Sequence, residues 1–394
     1  MNETEPNQDS VAHVSIGTRF AGEEVAYLLP WIDEKKLPRL AADLPPVGGH
    51  IKTYPEDFVV EEIPAYFPSG NGEFLYLWVE KRDLSGEGLL HALASGFGVS
   101  EADIGIAGVK DRRAVTRQWV SVPRSVESRI KNIENDKRIQ ILGTSAHTNK
   151  LRTGHLLGNR FSVLLRGTCV PLAEQYAIKI VERLNHGILN FYGSQRFGTG
   201  GETALAGLEL IRNERTERTK RMLHTRFRRR FAVSAAQSVL FNHYLVERVR
   251  MGLARTVLRG DYMVKRASGG LFVADDVAVE QRRFDGGETC PTGPIFGSKM
   301  RSPTGVAFQH EERLLSYHGL TAGHFAAFGK IALGTRRALW IQPDHLSVKN
   351  GDEVGLIRVE FSLPSGSYAT ILLREFLDLP AGAVEDDTGG STDE

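Results

Sequence analysis

Residues 107–119 read AGVKDRRAVTRQW and place one carboxylate, Asp111, among basic neighbours behind a glycine. The apolar residues 104–107 precede this stretch, and the strand-like residues 118–122 end it. A solvated charge run would be irregular, whereas these flanks predict a structured turn that leads into a β-strand. Because cations stand on both sides of Asp111, its carboxylate should stay ionised. An Asp that is always ionised acts as a nucleophile or a base rather than as an acid.

A Lys-Asp-Arg triplet alone would more often be a structural salt bridge, since such networks are common outside active sites. Further motifs favour a catalytic interpretation. They are IKTYPEDFVVEEIP (51–64), LGNRFSV (157–163), YGSQRFG (192–198), FAVSAAQSVLFN (231–242) and LPSGSYAT (363–370). With residues 107–119 they closely resemble the TruD family of pseudouridine synthases, and the ordered blocks extend from about residue 50 to about residue 377.

The resemblance implies an α+β fold with two domains. The pseudouridine synthase catalytic domain, with a mixed and largely antiparallel sheet, would be discontinuous and comprise residues 1–186 and 338–394. An α/β TRUD domain would be inserted at residues 187–337. We expect the lead, residues 1–45, and the acidic tail, residues 381–394, to be flexible in part, because the tail is rich in acidic residues, Gly and Thr.

The resemblance also implies a site. Asp111 matches the catalytic carboxylate, Phe161 the aromatic that stacks on uracil, Asn159 the residue that orients the Asp, and Lys52 the cation that pairs with it. Attack of Asp111 on C1′, attack on C6 and removal of the 2′-hydrogen all stay open. Taken singly, Phe161 would be a core residue of an apolar strand, Asn159 a turn residue and Lys52 a solvated charge. For Glu56, a structural role and a place beside RNA are equally good interpretations.

A second group of residues is assigned to RNA binding. Residues 212–230 carry nine basic side chains against only Glu214 and Glu217, a pattern that fits phosphate contacts or, alternatively, a solvated helix face. The predicted substrate-binding residues are Glu56, Lys110, Arg112, Gln118, Gln195, Arg196, Arg226, Arg228, Arg229 and Arg230.

Composition limits the alternatives. The chain has 394 residues and a net charge of +1, so any RNA surface must come from segregated rather than excess charge. Cys169 and Cys290 are far apart, which suggests neither a disulfide framework nor a zinc cluster and fits a reducing cytoplasm. His310-Glu311-Glu312-Arg313-Leu314 begins like a zincin motif, but Leu314 replaces the second His, so we expect no metal. A signal peptide and a stretch of about 18 apolar residues are also missing, which predicts a cytoplasmic protein without a membrane segment.

Local patterns predict several elements. Residues 74–79 read as a strand, 88–94 as a helix and 354–361 as an alternating strand followed by a helix through Phe376. Pro171 and Gly187 bracket another amphipathic helix. Ser234 is the predicted N-cap of a long helix that extends to about Arg250.

The sequence therefore predicts an RNA pseudouridine synthase that acts without a cofactor. Through the resemblance, the expected substrate is tRNA at U13 in the D arm, and the protein is expected to be a monomer. An RNA-binding or RNA-folding protein of the same fold, without essential catalysis, is the main alternative. A carboxylate glycosidase is weaker, because only Asp111 has the required context.

Overall fold

The computed structural model describes residues 25–133, 136–168, 172–351 and 353–377. The strands of this part of the chain are β1 (Phe58–Pro64), β2 (Phe74–Arg82), β3 (Gly105–Ile106), β4 (Val115–Pro123), β5 (Ile139–His147), β6 (Leu156–Arg166), β7 (Ile188–Leu189), β8 (Tyr262–Lys265), β9 (Leu271–Val273), β10 (Thr289–Ile295), β11 (Thr335–Ala338), β12 (Trp340–Ile341), β13 (Asp344–Asn350) and β14 (Leu356–Pro364). The helices are α1 (Leu29–Ile32), α2 (Gly86–Phe97), α3 (Ala173–Leu184), α4 (Glu202–Ile211), α5 (Glu217–Leu223), α6 (Arg226–Arg250), α7 (Val277–Asp285), α8 (Gly305–Tyr317), α9 (Ala322–Ala326) and α10 (Ala369–Leu373).

The larger sheet has the strand order β13-β14-β6-β1-β4-β2-β5, and β3 pairs with β4 at its side. Only β1 and β4 run parallel among these pairs. A parallel connection needs a long crossover, and here the chain between β1 and β4 includes β2 and helix α2. The predicted mixed, largely antiparallel sheet of an α+β fold is confirmed.

A second sheet, of order β11-β10-β8-β9, lies between β7 and β12 in sequence. Strands β7 and β12 pair antiparallel, with Ile188 opposite Ile341 and Leu189 opposite Trp340. The long helix α6 packs against β10 and against α4. This arrangement fits a domain inserted between two parts of another, although the junctions at 187 and 337 remain predictions.

Part of the N-terminal lead belongs to the core of the region between β7 and β12, which we call the intervening region. Leu28, Trp31, Ile32 and Leu37 are buried in one apolar cluster with residues of α4 and α6. Residues 1–24 and the acidic tail lie outside the described residues, so the flexibility predicted for them stays a prediction. Between residues 25 and 45, however, the lead is a packed structural segment.

Several local predictions are confirmed. The predicted strand at 74–79 is β2, the predicted helix at 88–94 is α2, and the bracketed helix is α3. Helix α2 begins after Ser85, whose hydroxyl accepts a hydrogen bond from the Gly88 N–H, and it ends at Gly98 in the left-handed conformation. Both terminal residues are of the types that satisfy free backbone groups at helix ends.

Two predicted helix limits are wrong. Helix α6 begins at Arg226, where the Thr225 hydroxyl accepts from the Arg228 N–H, so Ser234 lies inside the helix instead of at its start. The C-terminal helix ends at Leu373 rather than at Phe376. The Arg374 guanidinium donates to the carbonyls of residues 34, 37 and 38, which ties the chain to the N-terminal segment at that point. No helix in the described part of the chain is both long and apolar enough to cross a membrane.

Candidate active site

Asp111 lies in the irregular loop between β3 and β4. Its Oδ1 accepts a hydrogen bond of 2.8 Å from Lys52 Nζ, and both side chains are partly exposed. Lys52 adopts a left-handed backbone conformation, with φ at 59°, which is uncommon for a residue with a side chain. Its Nζ also lies 4.5 Å from the centre of the Phe58 ring. The cation that the resemblance assigns to Asp111 is therefore in contact with it.

The backbone of the same residue is held by Lys81, which the sequence analysis did not select. Lys81 is fully buried, and its Nζ donates to the carbonyl oxygens of Asp111 and Leu84, each at 2.6 Å. The strand pattern carried the signal, because Lys81 has the same phase as the buried Leu75, Leu77 and Val79. A lysine on the buried face of a strand needs acceptors inside the protein, and the Asp111 loop supplies one.

A row of cross-strand neighbours leads across the buried face of the sheet from this lysine. Lys81 is opposite Thr116, Thr116 is next to Val60, Val60 is opposite Phe161, and Phe161 is opposite Phe361. Successive members of such a row point to the same face of the sheet. The Asp111 loop therefore lies at one end of a row that contains the predicted stacking aromatic.

Phe161 itself is only 6% exposed. Its ring stacks on Phe361, with centroids 5.0 Å apart and planes at 20°, and meets the edge of Phe58 at 6.1 Å. This packing fits the core interpretation of Phe161. Its proposed contact with uracil stays a prediction.

Asn159 lies in the adjacent row, next to Glu62 of β1 and Leu363 of β14. Its Oδ1 is buried and has no hydrogen-bond partner among the residues that the structure describes. Buried acceptors are normally satisfied, so an open one calls for an explanation.

Lys110 and Gln118, predicted to bind substrate, are buried instead of facing solvent. Lys110 Nζ is 2.7 Å from Glu62 Oε2 in an ion pair that is almost completely buried. The second carboxylate oxygen of Glu62 accepts from the Trp119 N–H. Removing one partner of a buried ion pair destabilises a protein by several kcal/mol. The pair with Glu62 therefore fixes Lys110, and with it the start of the Asp111 loop. Arg112, in contrast, is exposed, and Glu56 pairs with Arg82 at the surface.

The predicted RNA-binding residues of the intervening region divide into two groups. Arg226, Arg228 and Arg230 are exposed in the first turns of α6, as is Gln195 in a nearby short helix. Arg229 is less exposed, and its guanidinium lies 5.0 Å from the centre of the Phe328 ring.

The upstream part of the basic run has structural partners. Arg212 donates to the His318 carbonyl, and Arg218 forms ion pairs with Glu202 and Glu209. These two side chains brace the helices of the intervening region. Only the downstream end of the run therefore presents a group of exposed arginines next to one another.

Packed residues connect the two regions. The Ser365 N–H donates to the Leu157 carbonyl at the start of β6. Tyr368 then meets the ring of Tyr192 at 5.8 Å, and the guanidinium of the partly buried Arg337 lies 4.1 Å from the centre of the Tyr192 ring. Burial lowers the pKa of Arg337, while the neighbouring tyrosines oppose that effect. The strand that carries Asn159 is thus joined to the region of the exposed arginines.

Comparisons with known proteins agree with this architecture. A family model described as tRNA pseudouridine synthase D (TruD) matches residues 37–230 and 215–376. The chain is 41% identical over 356 residues to the tRNA pseudouridine synthase D of Anaeromyxobacter sp. (strain Fw109-5), with 89% of this chain and 98% of that one covered. It is 40% identical over 348 residues to a tRNA pseudouridine synthase D of Thermus thermophilus, with coverages of 88% and 94%.

A solved structure shows the same fold. The crystal structure of the putative tRNA pseudouridine synthase D from Methanosarcina mazei superposes with a TM-score of 0.70 at 23% identity, over 87% of this chain and 96% of that one. The family match extends over both sheets and includes the Asp111 loop. The chain belongs to the tRNA pseudouridine synthase D (TruD) family.

Proposed function

We propose that this protein converts uridine to pseudouridine in tRNA and that Asp111 is its catalytic carboxylate. Membership of the family supports the activity, and one observation supports the residue. Asp111 is partly exposed, is bound at its side chain by Lys52 and is bound at its backbone by the buried Lys81. A carboxylate fixed in this way is preorganised for chemistry, since it needs little rearrangement during the reaction.

The reaction is an isomerisation and needs no oxidant or reductant. The C1′–N1 bond breaks, the uracil turns, a C1′–C5 bond forms, and the proton that leaves C5 is balanced by one gained at N1. An anion at the junction of sugar and base is required, and Asp111 supplies it. Lys52 orients that carboxylate through its positive charge and a hydrogen bond.

The target nucleotide must leave its stack to reach Asp111, because enzymes that act on a base extrude it from the helix. Phe161 is proposed to support the uracil from the sheet side. Because only a small part of its ring is exposed in the free protein, this contact requires adjustment of the groups around it. The open Asn159 Oδ1 can accept a hydrogen bond once the site is filled.

The proposed substrate position is U13 in the D arm of tRNA. The ground for this position is the likeness of the motifs to those of the family. The exposed arginines at the start of α6 support a polyanionic substrate that extends beyond the target base. Arg112 is proposed to contact a phosphate next to the target, and its exposure beside Asp111 supports this role.

The test uses purified protein and a tRNA transcript with uridine at position 13. Pseudouridine is mapped by carbodiimide modification and primer extension, and a transcript with cytidine at position 13 serves as the control. We expect one new signal at position 13, and none with the control transcript. Binding of the transcript without pseudouridine at any position would contradict the proposal and favour a non-catalytic RNA-binding role.

A further inference from the structure

The start of helix α6 exposes two phenylalanine rings among its arginines. Phe227 is 76% exposed and Phe231 is 37% exposed, and they lie one helical turn apart in the sequence RFRRRF at 226–231. The ring centroids are 6.2 Å apart and the planes lie within 6° of parallel. Burying a phenylalanine side chain is normally favourable, so two exposed rings at one place mark a surface that a partner can cover.

The charge around the rings limits the choice of partner. Arg226, Arg228 and Arg230 are exposed, and the first turn of the helix has no acidic residue. The helix N-terminus adds its own positive dipole end. A second copy of this chain would bring the same positive charge to the contact, whereas a nucleic acid strand brings phosphates for the arginines and flat bases for the rings.

Hydrogen bonds fix an arginine, Arg196, next to Phe231. Arg196 donates to the hydroxyls of Ser234 and Ser238, two residues one turn apart on α6. Its guanidinium lies 5.9 Å from the ring centres of both Phe231 and Tyr192. Tyr192 in turn meets Tyr368, so Phe231 lies next to the contacts that join the two regions of the protein.

We propose that Phe227 and Phe231 form a stacking platform for an unpaired nucleotide of the bound tRNA. The platform is a second base-binding position, apart from the nucleotide that reacts at Asp111. Arg226, Arg228 and Arg230 hold the phosphates that flank the stacked nucleotide. This inference rests on the proposed RNA substrate and adds a position to it, in the region between β7 and β12.

The experiment measures tRNA affinity for variants at Phe227. Removal of one stacking contact is worth about 1–3 kcal/mol, so Phe227→Ala should weaken binding by about 5- to 150-fold. Phe227→Leu, which keeps apolar area but lacks a ring, should lose nearly as much, and Phe227→Tyr should bind like the wild type. Phe308→Ala is the matched control, since Phe308 is an exposed phenylalanine of α8. In the Phe308→Ala control, both the tRNA affinity and the kcat at saturating tRNA should match those of the wild type.

A direct signal comes from Phe227→Trp, in which stacking on a base should quench the new indole fluorescence when tRNA is added, but not when inorganic polyphosphate is added. Wild-type affinity of Phe227→Ala, or of Phe227→Leu, would overturn the proposal. So would a change in oligomeric state with unchanged tRNA affinity, which would indicate a protein contact. The two proposals can fail separately. If the variants lose tRNA affinity but the wild type forms no pseudouridine, the platform is supported and the proposed activity is contradicted.

Discussion

At the scale of single residues, the candidate site depends on lysines that hold one aspartate from two directions. Lys52 binds the carboxylate of Asp111 from the chain ahead of β1, and Lys81 binds its carbonyl from the end of β2. The first contact pairs the negative charge of the carboxylate with a cation, and the second fixes the backbone position of Asp111. The two roles should therefore be separable by mutation.

Lys81→Met keeps a linear buried side chain but removes the donor. The Asp111 and Leu84 carbonyls would lose a shared partner, which costs about 1–3 kcal/mol of stability, and the loop would shift. A misplacement of about 1 Å costs about 100-fold in rate, so kcat should fall by that order while the KM for tRNA stays close to wild type. Lys349→Met, at an exposed ion pair with Glu360, is the control. A well-folded Lys81→Met enzyme with normal kcat would show that Lys81 is only structural.

Phe161 can be tested by separating its packing from its ring. Phe161→Ala should destabilise the protein by about 3–5 kcal/mol, because Phe161 packs between Phe58 and Phe361. Phe161→Leu keeps much of that packing and should still lose activity if the ring supports uracil, while Phe161→Tyr should retain most of it. Activity is measured well below the unfolding temperature of each variant. Normal turnover by a folded Phe161→Leu protein would leave Phe161 as a core residue alone.

At the scale of elements, the beginning of helix α6 is electrostatically unfavourable in the free protein. Four arginines lie in its first turns, next to the positive end of the helix dipole. Ser234 was predicted as the N-cap because serine is common at that position, but Thr225 occupies it. Ser234 instead binds Arg196. The unfavourable charge is explained if a polyanion binds there.

Replacing Arg226 and Arg228 together by alanine should have opposite effects on stability and on binding. The free protein should become more stable, by about 0.3–1 kcal/mol for each charge removed. Binding of tRNA should weaken, and the slope of log K against log salt should fall by about 0.7–0.9 for each lost phosphate contact. Arg282→Ala, at an exposed arginine in the last turn of α7, is the control. An unchanged slope and affinity in a titration at several salt concentrations would contradict phosphate contact.

At the scale of the whole molecule, sequence reasoning was strongest where a pattern is local. Alternation and caps located β2, α2 and α3, and the motifs gave Asp111 and its contact with Lys52. Long-range packing had no such signal. The burial of Trp31 beneath α6 depends on contacts between residues more than 200 positions apart, and the inward direction of Lys110 depends on its meeting Glu62 of β1. Neither follows from the residues next to them in sequence.

The contact of the N-terminal segment with α6 makes a prediction for pH. Trp31 stacks on His243 at 4.1 Å, and His243 Nδ1 is 2.9 Å from His318 Nε2. Burial lowers the pKa of His243 to about 3, and burial also holds the pKa of His318 well below its usual value. Both are protonated more readily in the unfolded chain, so the free energy of unfolding should fall as the pH drops from about 6.5 towards 3.

The slope attributable to one such histidine is about 1.4 kcal/mol per pH unit in the middle of that range. Urea unfolding at pH 7 and pH 5 should therefore show a smaller loss of stability for His243→Gln than for the wild type. Burial raises the pKa of Glu311 to about 7, which has the opposite effect on the free energy of unfolding. Comparing the two proteins cancels that effect. Equal losses in both would show that His243 is not buried in its neutral form.

The central claim is that Asp111 performs the isomerisation of uridine in tRNA. Asp111→Asn keeps the shape of the side chain and removes its negative charge. The most direct test compares this variant with the wild type in single-turnover formation of pseudouridine at position 13. The enzyme is in excess over tRNA, and tRNA affinity is measured in parallel. The account predicts that Asp111→Asn binds tRNA like the wild type and forms product more than about 100-fold more slowly, as loss of a covalent or base catalyst requires. Product formation by Asp111→Asn within that factor of the wild-type rate would contradict it.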